Sequence, residues 1–444
     1  ALAVAAGAMV LWATMPFPLP VIGLLVAVAL VVSGAGTFTS AFSGFSSTAV
    51  LLLIGGMMMA RGFELSGLAG RLALLLARAL APRRHGMLWG INLLSQTLTW
   101  AVPANAVRSQ LILPLLQRWL DWAEAKPRQP LFRQWLVTFA FAGNVSNTGL
   151  LPGAVANILM ADIFLRATGV QVTYGQWLLA SWPIWLAGTL VLPPVIARTL
   201  PAPDPPATFY AALAAEGNPS DAAQPGPNSL TGRLTAAEVR VLALTALAIG
   251  LWLAEPLTGL PAAVVAVLVG TLMAVPGVGV APWREVSRID WSMVVTVACT
   301  IGLGNVLTGS GAAELLATAL AASPAGPWLR DPLGGLVVVI VTTQVLHLVL
   351  TNVSTEVVVL VPVLISLAQL YGANPLAWSF AAAIVGGNAY LLAVQTMSNM
   401  AAVAQGGLEQ QAMWVPGLWM TLLTSVFLLL AAWLYWPLVG VPLR

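Results

Sequence analysis

The sequence predicts an all-α, polytopic membrane protein made of two inverted repeats, each with a re-entrant hairpin and a broken helix. Of its 444 residues, 59% are hydrophobic and 7% are charged, whereas soluble proteins carry about 25% charged residues. Apolar runs of membrane-spanning length recur along the chain. Two of these runs are interrupted by short polar tips at matching places in the two halves, a pattern that points to a binding site between them.

The composition also limits the kind of site that the chain can hold. A single cysteine, Cys299, excludes an internal disulfide, and two histidines, His85 and His347, argue against a metal or haem centre. Eighteen tryptophans suit anchoring at the two membrane interfaces. We therefore predict a multi-pass protein of a bacterial-type inner or plasma membrane, with no resident cofactor and no nucleic-acid partner.

We assign residues 1–198 to the first repeat. Its first three apolar spans lie at 1–14, 18–35 and 47–60. An amphipathic arm is predicted over residues 62–82, where arginines are interleaved with Leu and Ala. A last apolar span at 175–198 completes the repeat.

The first hairpin is predicted at residues 88–116. It consists of two apolar halves around a polar tip at Pro103–Ala106, and the second half ends near Pro114. Neither half reaches the roughly 20 residues that a membrane-crossing helix needs. Because unpaired backbone groups cost several kcal/mol each in hydrocarbon, the tip must be buried in protein.

The first broken helix is predicted at residues 136–168. Its middle, Asn144–Gly153, combines Asn, Ser, Thr, Gly and Pro within an otherwise apolar run. Such a segment favours unwinding, which leaves backbone carbonyl groups free to coordinate an ion.

A polar linker at 199–235 leads to the second repeat, residues 236–444, in which the elements recur in the same order. The second hairpin is predicted at 335–363, the second broken helix at 376–404 and the last span near 413–438. The repeat is supported by three pairs of residues that are separated by 242 to 247 positions: Asn105 and Asn352, Asn157 and Asn399, Arg71 and Glu314.

The distribution of arginine orients the two repeats. Arg and Lys cluster at the base of the first hairpin, whereas Arg330 stands alone beside the second. Positively charged residues remain on the cytoplasmic side of a membrane. The first hairpin is therefore predicted to enter from the cytoplasm and the second from outside.

The residues at the tips and breaks carry a family resemblance. Thr351-Asn352-Val353 matches a Ser-Asn-Thr tip, and Ala104-Asn105-Ala106 occupies the place of the other one. The breaks supply the remaining matches: Gly149, Gly153, Asn157, Thr396 and Asn399. On these residues the chain resembles the divalent-anion:sodium symporter family of the ion-transporter superfamily.

The resemblance implies an elevator-type transporter that forms a homodimer and carries a dicarboxylate or sulfate coupled to Na⁺. H⁺ is the alternative coupling ion. It implies two sets of residues. The substrate set is Asn105, Thr351, Asn352, Asn157, Thr396 and Asn399. The cation set is Asn105, Gly149, Thr351, Asn352 and Thr355.

Two charges near the tips, Arg108 and Glu356, need a separate explanation. A charge at this depth costs at least ~2.5–3.5 kcal/mol, so it should be paired or functional. Arg108 could bind the anion with its planar guanidinium, or pair with Glu356 and replace a sodium site by a fixed or proton-switched charge. Both could also face a wet cavity. His347 is either a proton relay or simply hydrogen-bonded.

The first tip departs from the family pattern, because Ala104 and Ala106 lack hydroxyl groups. Polar residues of the same half could substitute: Asn144, Ser146, Asn147 and Thr148. We interpret the chain as a secondary transporter of a small divalent anion. The alternatives are a transporter-fold subunit of a larger membrane complex with a degenerate site, and a proton or cation antiporter of the same superfamily. An enzyme is not indicated, since no HExxH or Gly-x-Ser-x-Gly motif occurs.

Overall fold

The protein is described by a computed structural model that covers residues 1–14, 16–102, 105–216, 233–350 and 353–444. Throughout these ranges the chain is helical and contains no β-strand, so the all-α prediction is confirmed. Four residues of the predicted tips, Pro103, Ala104, Thr351 and Asn352, lie outside the described residues.

The helices of the first half are numbered in chain order. They are α1 Leu2–Thr14, α2 Leu19–Val32, α3 Phe38–Ala41, α4 Thr48–Ser66, α5 Leu68–Leu80, α6 Gly86–Leu98, α7 Asn105–Trp122, α8 Pro130–Gly149, α9 Val155–Thr168 and α10 Tyr174–Thr199. Short 3-10 turns lie at Ser43–Ser46 and Leu151–Gly153.

The second half follows after a helix in the linker. The linker helix is α11 Ala207–Ala215. The helices of the second half are α12 Ala236–Leu253, α13 Glu255–Thr258, α14 Ala262–Leu272, α15 Trp283–Val286, α16 Trp291–Gly309, α17 Ala312–Ala321, α18 Pro332–Val349, α19 Val353–Tyr371, α20 Pro375–Gly387, α21 Met397–Ala404 and α22 Gln411–Leu430. A 3-10 turn at Trp328–Arg330 precedes α18, and a π turn and a 3-10 turn extend α22 to Val439.

Seven of the described helices are long and apolar enough to cross a membrane: α4, α10, α12, α16, α18, α19 and α22 with its extension. Each exposes apolar side chains to the surroundings, as a protein in lipid must. A multi-pass arrangement is therefore supported by length and composition together.

Both predicted hairpins are pairs of helices, but their second helices are longer than we predicted. α7 continues through Pro114 to Trp122, and α19 continues through Pro362 to Tyr371. Membrane helices tolerate proline because neighbouring groups satisfy the freed backbone carbonyl. Since α18 and α19 have 18 and 19 residues, length alone does not make the second hairpin re-entrant. The re-entrant course of both hairpins and the inversion of the repeats stay predictions.

Two helices are broken where the sequence is rich in Gly and Asn. α8 remains helical to Gly149, beyond the predicted start of unwinding at Asn144, and the extended backbone begins at Leu150. α9 resumes at Val155. In the second half the backbone leaves α20 after Gly387 and becomes helical again at Met397.

The arm and the linker also differ from their predicted form. α4 extends to Ser66, and Gly67, at φ 77°, separates it from α5, so the arm begins later than residue 62. Part of the predicted polar linker is the helix α11, whose buried Phe209 packs against Trp135 with ring centroids 5.5 Å apart. The Nε of Arg78 on α5 donates to the carbonyl of Leu213 at 3.0 Å. The beginning of the linker is thus fixed to the first repeat.

Glycines allow the closest helix contacts. A Cβ on Gly55 of α4 would lie 2.3 Å from the carbonyl carbon of Ala266 on α14. Another such contact joins α16 to the segment after α2, where a Cβ on Gly302 would lie 1.9 Å from the carbonyl oxygen of Ala41. A Cβ on Gly44 would meet the carbonyl oxygen of Ala298 at the same distance. These contacts are backbone against backbone, the arrangement that small residues permit in membranes.

We predict that Gly55→Ala destabilises the protein by about 1–3 kcal/mol, because the added methyl group has no space between α4 and α14. The matched control is Gly250→Ala on α12, where a Cβ meets no atom within 4 Å. That change should be neutral or stabilising, since alanine favours a helix over glycine. Unfolding of the two variants in detergent micelles measures the difference. Equal stability of both would contradict the close contact.

Candidate functional site

A cavity of about 390 Å³ lies where the two hairpins and the two broken helices meet. The starts of α7, α9, α19 and α21 reach it through Asn105, Val155, Val353 and Met397. The end of α20, the start of α2 and the first turns of α16 complete its wall. This volume falls in the range of small-molecule sites.

Four helix N-termini thus converge on one cavity. The N-terminus of a helix leaves backbone N–H groups without internal partners and carries roughly +0.5 charge. At α9 the N-cap residue is Ala154, which offers no side-chain cap to these N–H groups. At α21 the N-cap Thr396 accepts one hydrogen bond, from the Asn399 N–H at 3.3 Å. The cavity therefore favours an anion, the ligand that helix N-termini bind best.

The side chains around the cavity are almost all neutral. Among the described residues that line it, Asp290 is the one with an ionisable side chain. Its carboxylate accepts the N–H of Met293 at 3.2 Å and so caps α16. Attraction for an anion must then come from backbone N–H groups and polar side chains rather than from a lining Arg or Lys.

The two breaks lie against each other and exchange hydrogen bonds. The amide of Asn144 donates to the carbonyl of Ala389 at 2.6 Å, and the amide of Asn147 donates to the carbonyl of Gly387 at 3.0 Å. In return, the amide of Asn388 donates to the hydroxyl of Thr148 at 2.6 Å. Each broken helix supplies the partners that the other one lost, as buried backbone groups require.

Asn157 and Asn399 have the same structural role in the two halves. The amide of Asn157 donates to the carbonyls of Asn147 and Leu150, at 2.8 and 3.0 Å. That of Asn399 donates to the carbonyls of Ala389 and Leu392, at 3.1 and 3.0 Å. We predicted both as substrate ligands, but they are buried and lie outside the lining of the cavity. They hold the breaks in shape.

The other predicted residues are divided between the cavity and its surroundings. Asn105 and Thr396 line the cavity. The carbonyl of Gly149 instead faces α10 and accepts the hydroxyl of Ser181 at 3.1 Å. The hydroxyl of Thr355 is buried and has no hydrogen-bond partner among the residues that the structure describes.

Arg108 is fully buried behind the cavity wall, between the first hairpin and the first break. Its guanidinium donates to the carbonyl of Val102 at 2.8 Å and to the carbonyl of Gly153 at 2.9 Å. It also donates to the hydroxyl of Ser146 at 3.1 Å and to the amide oxygen of Asn147 at 3.0 Å. Asn147 lines the cavity, whereas Arg108 does not. Arg108 is therefore not placed to bind an anion in the cavity directly.

The partner of Glu356 is His347, whose Nδ1 contacts the carboxylate Oε2. Both residues are buried, one on each helix of the second hairpin. The contacts of Glu356 therefore differ from the pairing with Arg108 that the sequence suggested. His347 and Glu356 are nine residues apart in sequence, one on each helix of the hairpin. The sequence pattern of either helix alone therefore does not predict their contact.

Comparison with known proteins places these features in a family. The family model for the sodium:sulfate symporter transmembrane region matches residues 1–441. The chain belongs to this family. The resemblance to the divalent-anion:sodium symporters is thereby confirmed, and so are the predictions of an integral membrane protein of a transporter family and of a protein that is not an enzyme.

Individual relatives are distant. The citrate/succinate antiporter of Escherichia coli K12 is 24% identical over 339 residues, which are 74% of this chain and 65% of the antiporter. Dicarboxylate transporter 2.1 of Arabidopsis thaliana chloroplasts is 26% identical over 66% of this chain and 52% of its own length. The chain thus spans about half to two thirds of these relatives.

Two further matches cover nearly the whole chain. Inner membrane protein YbhI of Escherichia coli K12 is 25% identical over 96% of this chain and 89% of its own length. Among solved structures, the Alcanivorax borkumensis YdaH transporter superposes with a TM-score of 0.53 over 91% of this chain and 88% of its own, at 18% identity. The similarity to the YdaH transporter is therefore a similarity of fold.

The family is named for sodium, and the two halves of this chain differ in the oxygen atoms that a sodium ion could contact. In the second half, the hydroxyl of Thr355 and the Oε1 of Glu356 are buried oxygens that lack a hydrogen-bond partner within the described ranges. Oxygen atoms of this kind suit a hard cation. In the first half, the oxygens of Ser146 and Asn147 already accept hydrogen bonds from Arg108, so a second cation does not fit there.

The sequence analysis missed the role of two polar residues of the second break, Asn388 and Gln395. The side-chain oxygen of Gln395 accepts the N–H groups of Leu391 and Leu392, at 3.1 and 2.8 Å. Both residues are amides in an apolar run, the same signal that drew attention to Asn144 and Asn147. Applied evenly to both repeats, that signal would have found them.

We predict that Asn157→Ala loosens the first break, because two buried carbonyl oxygens lose their donor at a cost of about 1–3 kcal/mol. Hydrogen exchange of the segment 144–157 should become faster. The matched control is Asn374→Ala, which also removes two hydrogen bonds, to Pro442 and from Leu376, but at the start of α20. Unchanged exchange at the break in Asn157→Ala would contradict the bracing role.

Proposed function

We propose that this protein is a secondary active transporter that carries a small divalent anion, of the dicarboxylate or sulfate-like class, with cation coupling and an elevator-type motion. The observation that carries this proposal is the convergence of four helix N-termini on one cavity, at Asn105, Val155, Val353 and Met397. The cavity lies at the breaks of two helices, where transporters of many folds bind their substrates.

Charge favours a dianion over a monoanion. Four N-termini at roughly +0.5 each amount to about two positive charges before opposing helix ends are counted. The C-terminal ends of α8 and α20 and the Asp290 carboxylate oppose them. The guanidinium of Arg108 lies against the end of α8 and offsets it, the N-terminus of α2 offsets the end of α20, and Asp290 is used to cap the N-terminus of α16. Apart from Asp290, the lining is neutral and adds polar groups from Asn105, Ser354 and Thr396 without adding a competing cation.

The names of the relatives favour carboxylates among the dianions. One relative is a citrate/succinate antiporter and another is a chloroplast dicarboxylate transporter. Carboxylate and sulfate oxygens accept the same backbone N–H groups. The class of substrate is therefore proposed as a small dicarboxylate first and a sulfate-like dianion second.

The position of the cavity supports the elevator motion. One side of it is formed by the hairpins and broken helices, and the other by the start of α2 and the first turns of α16. Its edge at Asp290 is close in sequence to Arg284 and Arg288, and positively charged residues remain on the cytoplasmic side of a membrane. In our proposal this conformation faces inward, and the hairpin side moves against α2 and α16. The homodimer stays a prediction from the resemblance.

The purified protein in proteoliposomes should accumulate radiolabelled succinate or citrate when an inward cation gradient is imposed. Unlabelled dianions, sulfate included, should compete for uptake, whereas neutral glycerol should not. Liposomes without protein are the control. Absence of flux for every dianion, under Na⁺ gradients, pH gradients and counterflow alike, would contradict the proposal and favour a subunit of a larger membrane complex.

A carboxylate placed at the start of α9 should occupy the position of the anion. We predict that Val155→Asp lowers uptake tenfold or more while the protein remains folded, because an acidic residue is favourable at a helix N-terminus, by about 0.3–1 kcal/mol, and repels a dianion in the cavity. Val155→Asn has nearly the same shape without the charge and is the matched control. Equal uptake by the two variants would show that the helix ends do not bind the substrate.

A further inference from the structure

We propose that the guanidinium of Arg108 is a tethered substitute for a transported cation, so that the first half of this protein takes up no Na⁺ with its anion. This inference rests on the proposed function and concerns its coupling. The family is named for sodium. In the first half of this chain, however, the oxygen atoms suited to a cation accept hydrogen bonds from an arginine.

The surroundings of Arg108 are those of a cation site. The guanidinium donates to the carbonyls of Val102 and Gly153, the hydroxyl of Ser146 and the amide oxygen of Asn147, at 2.8 to 3.1 Å. Backbone carbonyl, hydroxyl and amide oxygens are also the groups that bind a hard cation in transporters with broken helices. The arginine takes the place that such an ion would fill.

The position of these oxygens explains why a positive charge is stable there. Ser146 and Asn147 belong to the last turn of α8, which ends at Gly149. The C-terminus of a helix carries partial negative charge and stabilises a cation. Arg108 is permanently charged, unlike a bound ion that must be captured from solution.

The charge lies one residue behind the anion cavity. Asn147 contacts the guanidinium with its side-chain oxygen and also forms part of the cavity wall. The guanidinium of Arg108 therefore lies in the layer next to the proposed substrate. A fixed positive charge at this distance raises the affinity for an anion in the same way as a co-bound cation, with no ion taken from the gradient.

The sequence of the first hairpin fits the same substitution. Ala106, at the cavity wall, offers no side-chain oxygen to an exchangeable cation. The second hairpin retains Thr355, whose buried hydroxyl has no hydrogen-bond partner in the described part of the chain. An exchangeable cation therefore finds free oxygen atoms in the second half, whereas the corresponding place in the first half is filled.

Uptake by the wild-type protein tests the first consequence. Any dependence on Na⁺ should be hyperbolic, with a Hill coefficient of about 1 or less, because at most the second half binds an exchangeable ion. A cooperative dependence, with a Hill coefficient near 2, would overturn the proposal. If the wild type transports no dianion under any gradient, the proposed function itself fails, which is a separate result.

Variants of Arg108 test the tethered charge. Arg108→Lys keeps a cation and should keep the cation dependence of the wild type at reduced affinity. Arg108→Gln should lose about tenfold or more of its uptake at low Na⁺, because the charge-assisted hydrogen bonds are gone, and should gain activity with added Na⁺. Arg118→Ala, at an exposed arginine paired with Glu216, is the control and should change neither property. Unchanged uptake and cation dependence in Arg108→Gln would overturn the proposal.

Binding provides a readout that does not depend on transport. In Arg108→Ala the empty oxygen cluster should bind free guanidinium, so millimolar guanidinium should raise the thermal unfolding temperature of this variant and restore part of its uptake. The wild type and Arg118→Ala should show no such shift, and urea at the same concentration should not replace guanidinium. Absence of rescue contradicts the proposal. If neither neutral variant folds even with guanidinium or Na⁺ present during purification, the arginine is needed for more than its charge and the proposal also fails.

Discussion

The structure depends on how two broken helices satisfy their backbone groups without water. A break inside a membrane helix leaves N–H and carbonyl groups without partners, at a cost of several kcal/mol each in hydrocarbon. Here the breaks lie together, and the side chains of Asn144, Asn147 and Asn388 donate across them. Asn157 and Asn399 then close each break on its own side. This mutual support frees the N-termini of α9 and α21 to face the cavity.

The two halves solve the same problem with different charges. Arg108 and Glu356 each stand six residues before the proline inside the second hairpin helix, Pro114 or Pro362. In the first half the charge is permanent and is surrounded by oxygens of the break. In the second half the carboxylate contacts His347, and the adjacent oxygens remain available. The second helices of the two hairpins thus hold side chains of opposite charge: a permanently charged arginine in the first and a carboxylate in the second.

Much of this arrangement could be predicted from the sequence, because polar residues within apolar runs mark places where the chain cannot remain a simple membrane helix. Both breaks, and the positions of Asn105 and Thr396 beside the cavity, follow from that rule. The direction of a side chain does not follow from it. Arg108 points behind the cavity wall and Gly149 turns its carbonyl to α10, since rotation about a helix is set by neighbours that are distant in sequence. The pairing of His347 with Glu356 and the packing of α11 depend on such neighbours as well.

The glycine contacts between α16 and the segment after α2 have a consequence for motion. With Gly302 against Ala41 and Gly44 against Ala298, two backbones touch without side chains between them, and such a packed joint has little room to slide or compress. This side of the cavity therefore resists compression. In the proposed elevator motion, the hairpins and broken helices on the opposite side would change position, and the glycine contacts would give them a surface of constant shape.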